Sequence, residues 1–380
     1  MTIWTALAFL AFALALAQAL RMDGWRKAFE RSGRAPVGHD GGPPQLITVL
    51  VAARDAGITI TPLLQDLYAQ DHPRELVQVV VVDDHSTDET ARIVERMALH
   101  WPQLQLVRLG AGQGKKAAIM AGVKVATGAI VLLTDADARC GPGRVGRVDQ
   151  AFRTGRWDLL LLPVRTCGEG LVGALQEEEQ VALLGAALGL WDEGRPLIAN
   201  GANLAFRKTA FEAVGGYTGD RWASGDDVFL VQRMRKDQRP IGFLLDKEAL
   251  VTVEAESDLG SAVRQRLRWA GKMRGVRDGG GKLFAGLGLA LPWILLVISI
   301  VLAAEVRVGQ GWFFTWALMA AAWCAWLIPV LGLTADVKRW LGDRPSSFRS
   351  FLALLAFTLY APLIAIASLF VRPKWKGRRV

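Results

Sequence analysis

The stretch Val79–Thr90 reads VVVVDDHSTDET, and it predicts the centre of the fold. Four β-branched residues in a row, with no polar residue among them, are typical of a strand buried on both faces of a parallel sheet. Asp83 and Asp84 follow at the carboxyl end of this strand, the edge of an open parallel sheet where ligands bind. Because a small polar residue within 86–88 can cap the helix that Glu89 begins, the aspartates are not needed as caps. At least one of them is expected to face a ligand.

A second acidic edge is LLTDADA, residues 132–138, which contains Asp135 and Asp137. If the chain is extended there, alternate residues point the same way and the two carboxylates share one side. Such a pair repels unless a cation lies between them, and Mg²⁺ or Mn²⁺ bound by one or two carboxylates plus substrate phosphates is the usual solution. The alternative is a turn in which an aspartate caps a helix.

A third acidic pair, Asp226 and Asp227, lies in SGDDVFL and begins a predicted helix. Acidic residues are favoured at a helix amino terminus for purely structural reasons, which is one interpretation. The functional interpretation makes Asp227 a general base that takes a proton from an acceptor hydroxyl. We expect the three acidic clusters to converge on one nucleotide-sugar and its metal ion.

Two basic motifs complete the candidate site. GQGKKAA, residues 112–118, puts Lys115 in the first turn of a helix, where a cation is unfavourable unless an anion is nearby. This favours a lysine that reaches the base or phosphates of a nucleotide, and the alternative is a solvated basic helix start. In QRLRW, which starts at Gln265, Arg268 can hold a diphosphate in a bidentate fork and Trp269 offers a flat face to a sugar. Arginine and tryptophan beside a membrane need no catalytic role, so this motif alone is weak.

Composition points to a membrane protein. The 380 residues are 52% hydrophobic, and four segments are almost free of charge: 3–20, 283–304, 311–333 and 351–370. Each is long enough, or nearly so, to cross a hydrocarbon core about 30 Å thick. The formal charge of +9 comes largely from lysines and arginines beside these segments, which favours juxtamembrane contacts over nucleic acid. Three cysteines without a CxxC pair indicate neither a disulfide framework nor a zinc site, as expected in a reducing cytoplasm.

The positive charges also predict the topology. Residues 1–20 are interpreted as an anchor whose positive flank follows it, which places residue 21 onward in the cytoplasm and makes 21–44 a juxtamembrane linker. Three further membrane helices within 283–370 would then precede a basic tail, 371–380. A break at Pro362 would let the last segment re-enter, which keeps this tail cytoplasmic.

Residues 45–138 alternate short apolar runs with helical stretches, which predicts an α/β fold with a doubly wound, mostly parallel sheet. The alternation weakens in 139–275, which we expect to shape the acceptor side. No GxGxxG follows the first strand and no GxxxxGK[ST] occurs, so dinucleotide and Walker-type phosphate binding are disfavoured.

An ordered set of motifs resembles the membrane-bound, inverting glycosyltransferases of family 2, relatives of cellulose, hyaluronan and chitin synthases and of lipid glucosyltransferases. The set is ITVLVAARD, VVVVDDHSTDET, GKKAA, TDADA, NGANLAFRK, the Asp226–Asp227 pair and QRLRW. The resemblance covers roughly 45–275 and implies a GT-A type fold that binds a nucleotide-diphosphate sugar. Uracil is the commonest base in the family, so a UDP-sugar is the expected donor.

The resemblance also implies roles for individual residues. One of Asp83 and Asp84 would contact the base, Asp135 would contact the ribose or diphosphate, and Asp137 would ligate the metal. Asp227 would be the catalytic base, with Asp226 in the place of the family's usual glutamate. The remaining residues would close over the diphosphate and acceptor; they are Gln265, Arg268 and Trp269.

We therefore expect an inner or plasma membrane enzyme that transfers one sugar, with inversion, to a hydroxyl of a membrane lipid, a lipid-linked acceptor or a cell-envelope glycan. A processive polysaccharide synthase is the alternative within the family, but four spans leave little protein to wall a polymer channel. From another class, a nucleotidyl or phosphoryl transferase and an inactive sugar-nucleotide binder stay open.

Overall fold

The computed structural model describes residues 3–34, 42–220, 225–276, 279–304, 312–371, 374–375 and 378–379. Its strands are β1 (Ile47–Ala53), β2 (Val77–Asp83), β3 (Leu104–Arg108), β4 (Ile130–Asp135), β5 (Arg139–Cys140), β6 (Leu159–Leu161), β7 (Val164–Cys167), β8 (Asn203–Arg207), β9 (Ile241–Phe243), β10 (Val251–Glu254), β11 (Lys374–Trp375) and β12 (Arg378–Arg379). Its helices are α1 (Ile3–Arg34), α2 (Ile60–Tyr68), α3 (Thr90–Ala98), α4 (Lys115–Val125), α5 (Arg144–Thr154), α6 (Gly170–Asp192), α7 (Lys208–Ala213), α8 (Asp226–Lys236), α9 (Leu259–Lys272), α10 (Gly279–Ala304), α11 (Trp312–Leu341) and α12 (Ser347–Phe370).

Seven strands form the central sheet in the order β3-β2-β1-β4-β8-β6-β9. Strands β1 to β4 are parallel to one another, and only β8 runs antiparallel to its two neighbours. The predicted α/β class with a mostly parallel sheet is confirmed. A smaller sheet, β5-β10-β7, lies beyond the carboxyl end of β4.

The valine run of β2 is buried on both faces, as predicted from its composition. Val79 and Val81 pack with α2, α3 and α5, whereas Val80 and Val82 pack with α4 and α8 on the other face. Because side chains alternate across a strand, one continuous apolar run can fill two cores. Burying the four valines contributes roughly 1.5–3 kcal/mol each, which makes β2 a rigid support for the aspartates that follow it.

Four helices of the described residues are long and apolar enough to cross a membrane: Ile3–Gly33, Gly286–Ala304, Trp312–Leu341 and Ser347–Phe370. Helix α1 continues unbroken to Arg34, so residues 21–34 of the predicted linker are helical. Residues 35–41 of that linker and the predicted loop 305–310 lie outside the described residues. Helix α11 also continues well past residue 333.

The expected break at Pro362 is absent. Helix α12 is continuous through this proline, and it packs against α9 of the catalytic region as well as against α10 and α11. The proline removes one backbone donor but leaves the helix intact, as neighbouring helices allow in membrane segments. Re-entry at this residue is therefore not supported, and the side on which the tail 371–380 lies stays a prediction.

The second half of α1 fixes this apolar helix to α6 of the α/β region. The Trp25 ring lies against Gly189 of α6, where a Cβ would come within 2.1 Å of the ring. The Trp25 indole N–H and the Arg21 guanidinium both donate to Glu193, at 2.6 Å and 2.5 Å. Burial raises the pKa of Glu193, but the hydrogen bonds from Arg21 and Trp25 together outweigh burial, and the pKa of this carboxyl is lowered overall. The amphipathic end of α1 is thus part of the catalytic region's surface, which explains why it remains helical.

A fully buried arginine joins the two sheets. Arg144 donates to Asn203 Oδ1 at 2.8 Å and to the Leu133 carbonyl at 3.0 Å, and burial lowers the pKa of its guanidinium. The Asn203 amide in turn donates to the carbonyls of Pro163 and Ala249, at 2.7 and 2.8 Å. One amide therefore satisfies two buried carbonyls, next to β7 and β10, and the buried guanidinium of α5.

Replacing Asn203 with leucine should lower the free energy of unfolding by about 3 kcal/mol, because it leaves buried polar groups without partners. Thermal unfolding of the detergent-solubilised protein should show a midpoint several degrees lower. Gln105→Leu, at an exposed position on the edge strand β3, is the control and should change the midpoint little. Equal midpoints for both variants would contradict the prediction.

Candidate active site

The three acidic clusters open into one cavity of about 350 Å³ at the carboxyl edge of the sheet. Nine of the ten predicted site residues line it: Asp84, Lys115, Asp135, Asp137, Asp226, Asp227, Gln265, Arg268 and Trp269. The tenth, Asp83, does not. The cavity wall also includes side chains from α6, which the sequence did not single out.

Asp83 and Asp84 have different environments although they are adjacent. The Asp83 carboxylate is buried and accepts from the Ser86 amide at 3.3 Å, so it stabilises the turn after β2. Asp84 faces the cavity and accepts from the Gly114 amide at 2.9 Å. Burial raises the pKa of Asp84, partly offset by this N–H. Of the two aspartates, Asp84 is therefore the one placed to contact a ligand.

Lys115 bridges two of the acidic clusters. Its Nζ lies 2.6 Å from Asp135 Oδ1 and 3.0 Å from Asp226 Oδ2. It also donates to the Gly201 carbonyl at 3.2 Å. Burial lowers the pKa of Lys115, but the two carboxylates outweigh burial and raise it overall. Lys116 points elsewhere, to Asp220, so the two lysines of the motif have separate contacts.

The acidic pair at the start of α8 is buried, and each of its two aspartates pairs with a different lysine. Burial raises the pKa of Asp226, but Lys115 outweighs burial and the pKa is lowered overall. Both oxygens of Asp227 accept from Lys272 Nζ, at 3.0 and 2.9 Å. No motif in the sequence singles out Lys272. Its spacing from Trp269, almost one helical turn, is the signal that could have placed it on the same face of α9.

Helix α9 carries the QRLRW motif and forms the side of the cavity opposite the sheet. Gln265 Nε2 donates to Glu256 Oε1 at 3.0 Å, which orients the amide. Arg266 donates to Glu179 of α6 from Nε at 2.9 Å and stacks over the Trp269 ring at 4.7 Å. Sequence reasoning missed both glutamates, because neither lies in a recognisable motif.

Arg268 also faces the cavity. Burial lowers the pKa of its guanidinium, opposed first by Glu256 and then by Asp135. The cavity therefore combines a partly buried cation with carboxylates at its sheet edge. That arrangement suits a ligand which carries phosphates at one end and hydroxyls at the other.

The backbone at the predicted metal site differs from the extended conformation expected. Strand β4 ends at Asp135, and Asp137 lies in the turn that follows, closed by the Ala138 amide on the Asp135 carbonyl at 3.1 Å. The expectation of an extended DxD was therefore wrong, although both side chains line the cavity. No group of three or more histidines, cysteines, aspartates or glutamates among the described residues could hold a metal by itself. Two carboxylates still fit Mg²⁺ or Mn²⁺ if donor phosphates supply further oxygens.

The chain is similar to known glycosyltransferases. Residues 48–215 match the family model described as glycosyl transferase family 2. Over 240 residues the chain is 29% identical to a beta-monoglucosyldiacylglycerol synthase of Synechocystis sp., an alignment that covers 60% of this chain and 48% of that protein. Over 96 residues it is 34% identical to a dolichyl-phosphate beta-glucosyltransferase of Trichomonas vaginalis, covering 24% of this chain and 28% of that one. The alignments thus span about half the length of these curated relatives, or less.

A solved structure shows the same fold. The mannosyltransferase PcManGT of Pyrobaculum calidifontis, in complex with GDP-Man and Mn²⁺, superimposes with a TM-score of 0.58 at 24% identity. The match covers 94% of this chain and 99% of that one, so it includes the apolar helices as well as the sheet. The predicted GT-A type fold is confirmed.

Lys115→Met should destabilise the protein, because it leaves Asp226 buried without a counter-charge. The double variant Lys115→Met/Asp226→Asn should recover part of the loss, with a coupling energy of about 1–3 kcal/mol between the two positions. Thermal or chemical unfolding of the four proteins in the cycle measures it. Lys124→Met, at an exposed position near the end of the same helix, is the matched control. Additive effects would show that the bridge carries no stability.

Proposed function

Residues 48–215 form a family 2 glycosyltransferase domain, and from this premise we propose that the chain transfers one sugar, with inversion, from a nucleotide sugar to a hydroxyl of a membrane lipid or lipid-linked acceptor. The single observation that supports this best is the shared cavity of Asp84, Asp135, Asp137 and Asp227, with Arg268 facing them. Carboxylates for a metal and for proton abstraction lie there beside a cation for a leaving diphosphate. These are the groups that such a displacement requires.

On the donor side, Asp84 accepts hydrogen bonds from a base N–H or from ribose hydroxyls, as its place at the end of β2 allows. Arg268 stabilises the negative charge on the departing diphosphate, and its burial strengthens this interaction. Asp135 and Asp137 would hold the Mg²⁺ or Mn²⁺, which when bound neutralises charge on the diphosphate.

On the acceptor side, Asp227 takes the proton of the attacking hydroxyl. Lys272 contacts both of its oxygens, which neutralises its charge and fixes the direction of the carboxylate before the acceptor arrives. Asp226 pairs with Lys115, which also contacts Asp135 on the donor side. The Trp269 ring, stacked on Arg266, offers a flat apolar surface to the sugar or the acceptor.

A lipid acceptor is supported by the surroundings of the cavity. Helix α9 lines the cavity with Gln265, Arg268 and Trp269, while Leu259 and Val263 on the same helix are exposed. It packs against α12, one of the four helices that could span a membrane. An amphipathic helix of this kind lies at a bilayer surface. The names of the relatives that act on diacylglycerol and dolichyl phosphate favour the same class of acceptor, and the charge asymmetry favours a cytoplasmic catalytic region.

A donor screen tests the proposal. The full chain in lipid nanodiscs is incubated with nucleotide sugars labelled separately in the sugar and in the phosphate, with Mg²⁺ or Mn²⁺ and with diacylglycerol, polyprenyl phosphate or glycan acceptors. We expect the sugar label to enter the lipid fraction while the phosphate label leaves as nucleoside diphosphate. EDTA should stop the transfer, and added Mg²⁺ or Mn²⁺ should restore it.

Other results of the same screen would contradict the proposal. Transfer of the phosphate label would indicate a nucleotidyl or phosphoryl transferase. A ladder of long products would indicate a processive synthase. Metal-dependent nucleotide binding without turnover of any donor would indicate an inactive binder.

Asp227→Asn should lower kcat by roughly 100-fold or more, because the amide cannot accept the proton of the acceptor. The affinity for nucleoside diphosphate, measured by calorimetry, should not change, since Asp227 acts on the acceptor. Asp237→Asn, at the other end of the same helix and half exposed, is the matched control and should keep full activity. An active Asp227→Asn enzyme would exclude this residue as the base.

A further inference from the structure

A second cavity, of about 280 Å³, lies where the catalytic region meets the turn between α11 and α12. One wall comes from β7 and α6, and the other from the end of α11, residues 342–346 and the start of α12. Thr166 and Gln180 line both this cavity and the catalytic one, so the two adjoin. The proposed transfer reaction does not use this second cavity.

The lining is rich in charge, with one positive charge in excess. Four basic side chains face three carboxylates, and the excess is therefore 4 − 3 = 1. The basic residues are Arg165, Lys338, Arg344 and Arg349, and the acidic ones are Glu177, Glu178 and Asp343. An anion with a single negative charge would balance this set.

The floor of the cavity is a buried ion pair. Lys338 Nζ donates to Glu178, and the Ser350 hydroxyl donates to the other carboxylate oxygen at 2.8 Å. All three residues are buried. Because breaking a buried and hydrogen-bonded pair is costly, these groups stay together and form a fixed base.

The side chains at the opening of the cavity include arginines that could form ion pairs with a bound anion. Arg165 pairs with Asp343 at 2.8 Å and Arg349 with Glu177 at 3.4 Å, and all four side chains are between 31% and 54% exposed. Arg349 also lies 3.9 Å from the buried Glu178, at the outer limit of an ion pair. Exposed pairs of this kind contribute little stability, so their arginines can turn to a better ligand. Arg344 is exposed and forms no ion pair with any residue that the structure describes. Three arginines therefore surround one opening above a fixed floor.

The position of the cavity indicates the source of the anion. Helices α11 and α12 are both long and apolar enough to span a membrane, so the turn between them lies at the bilayer surface that faces the catalytic region. The cavity also contains Val181, Leu184 and Leu341, which suit the glycerol and first methylenes of a lipid better than a free ion. Basic pockets between membrane helices at such a surface bind anionic headgroups.

We propose that this second cavity binds the phosphate headgroup of an anionic phospholipid, held by Arg165, Arg344 and Arg349 at its rim. The lipid is a bound ligand and is not consumed. Helix α6 would lie between the bound lipid and the catalytic cavity. The proposal does not rest on the transferase reaction, since binding requires no donor sugar.

The test measures lipid binding to the full chain in detergent by microscale thermophoresis, without nucleotide. The probes are dioctanoyl phosphatidylglycerol, dioctanoyl phosphatidylcholine and inorganic phosphate. We expect phosphatidylglycerol to bind most tightly, and Arg344→Gln/Arg349→Gln to bind it about tenfold more weakly or worse, because charge-assisted contacts to the phosphate are lost.

Lys27→Gln/Arg31→Gln is the matched control, because it also removes two exposed basic side chains near the membrane but outside the cavity. It should bind phosphatidylglycerol like the unchanged chain. If the first double variant does not fold, Arg165→Gln supplies the same test from the opposite wall.

Three outcomes would overturn the proposal. The first is unchanged binding when the rim arginines are replaced. The second is an equal loss in the control variant, which would indicate a general basic surface. The third is binding of phosphatidylcholine or inorganic phosphate as tight as that of phosphatidylglycerol, which would exclude an anionic lipid as the specific ligand.

Discussion

Carboxylates from distant parts of a chain can share a small cavity only if cations lie between them, and Lys115 provides the first such cation. It joins Asp135, at the end of β4, to Asp226, at the start of α8, with Nζ–O distances of 2.6 and 3.0 Å. Without it the two like charges would repel at short range in a poorly solvated space. Lys272 does the same for Asp227. Lys115 and Lys272 thus hold the acidic residues of β4 and α8 in position without a bound ligand. Asp84 and Asp137 face the same cavity.

The sequence predicted those parts of the fold that depend on local periodicity. A run of valines can be satisfied only by burial on both faces, so β2 and its parallel neighbours follow from composition and spacing. The carboxyl ends of parallel strands meet at one edge, so the aspartates after β2 and β4 had to lie near each other. No periodicity places Asp226 or Gln265 next to that edge, so the expected contribution of α8 and α9 rested on the chemistry of their side chains and on the resemblance.

Other features could not be predicted because they depend on partners far away in the chain. Asp83 and Asp84 have the same chemistry in sequence, and only the path of the turn decides that one closes it and the other faces the cavity. The turn at Asp137 interrupts the alternation of side chains along an extended strand, on which the predicted shared face of Asp135 and Asp137 rested. Helix α1 extends beyond the apolar segment because Trp25 packs on Gly189 of α6, a contact that no local pattern reveals.

Helix α6 connects these features through three consecutive glutamates. Neighbouring positions on a helix point about 100° apart, so each glutamate meets a different element. Their partners are Arg349 of α12 for Glu177, Lys338 of α11 for Glu178 and Arg266 of α9 for Glu179. Exposed pairs alone would hold such a junction weakly, but the pairs of Glu178 and Glu179 are largely buried and resist separation. Helix α6 therefore fixes the position of the cavity relative to α11 and α12. On the proposal that the acceptor is a membrane lipid, this constraint keeps Asp227 at a fixed distance from the apolar helices beside which the acceptor hydroxyl would be presented.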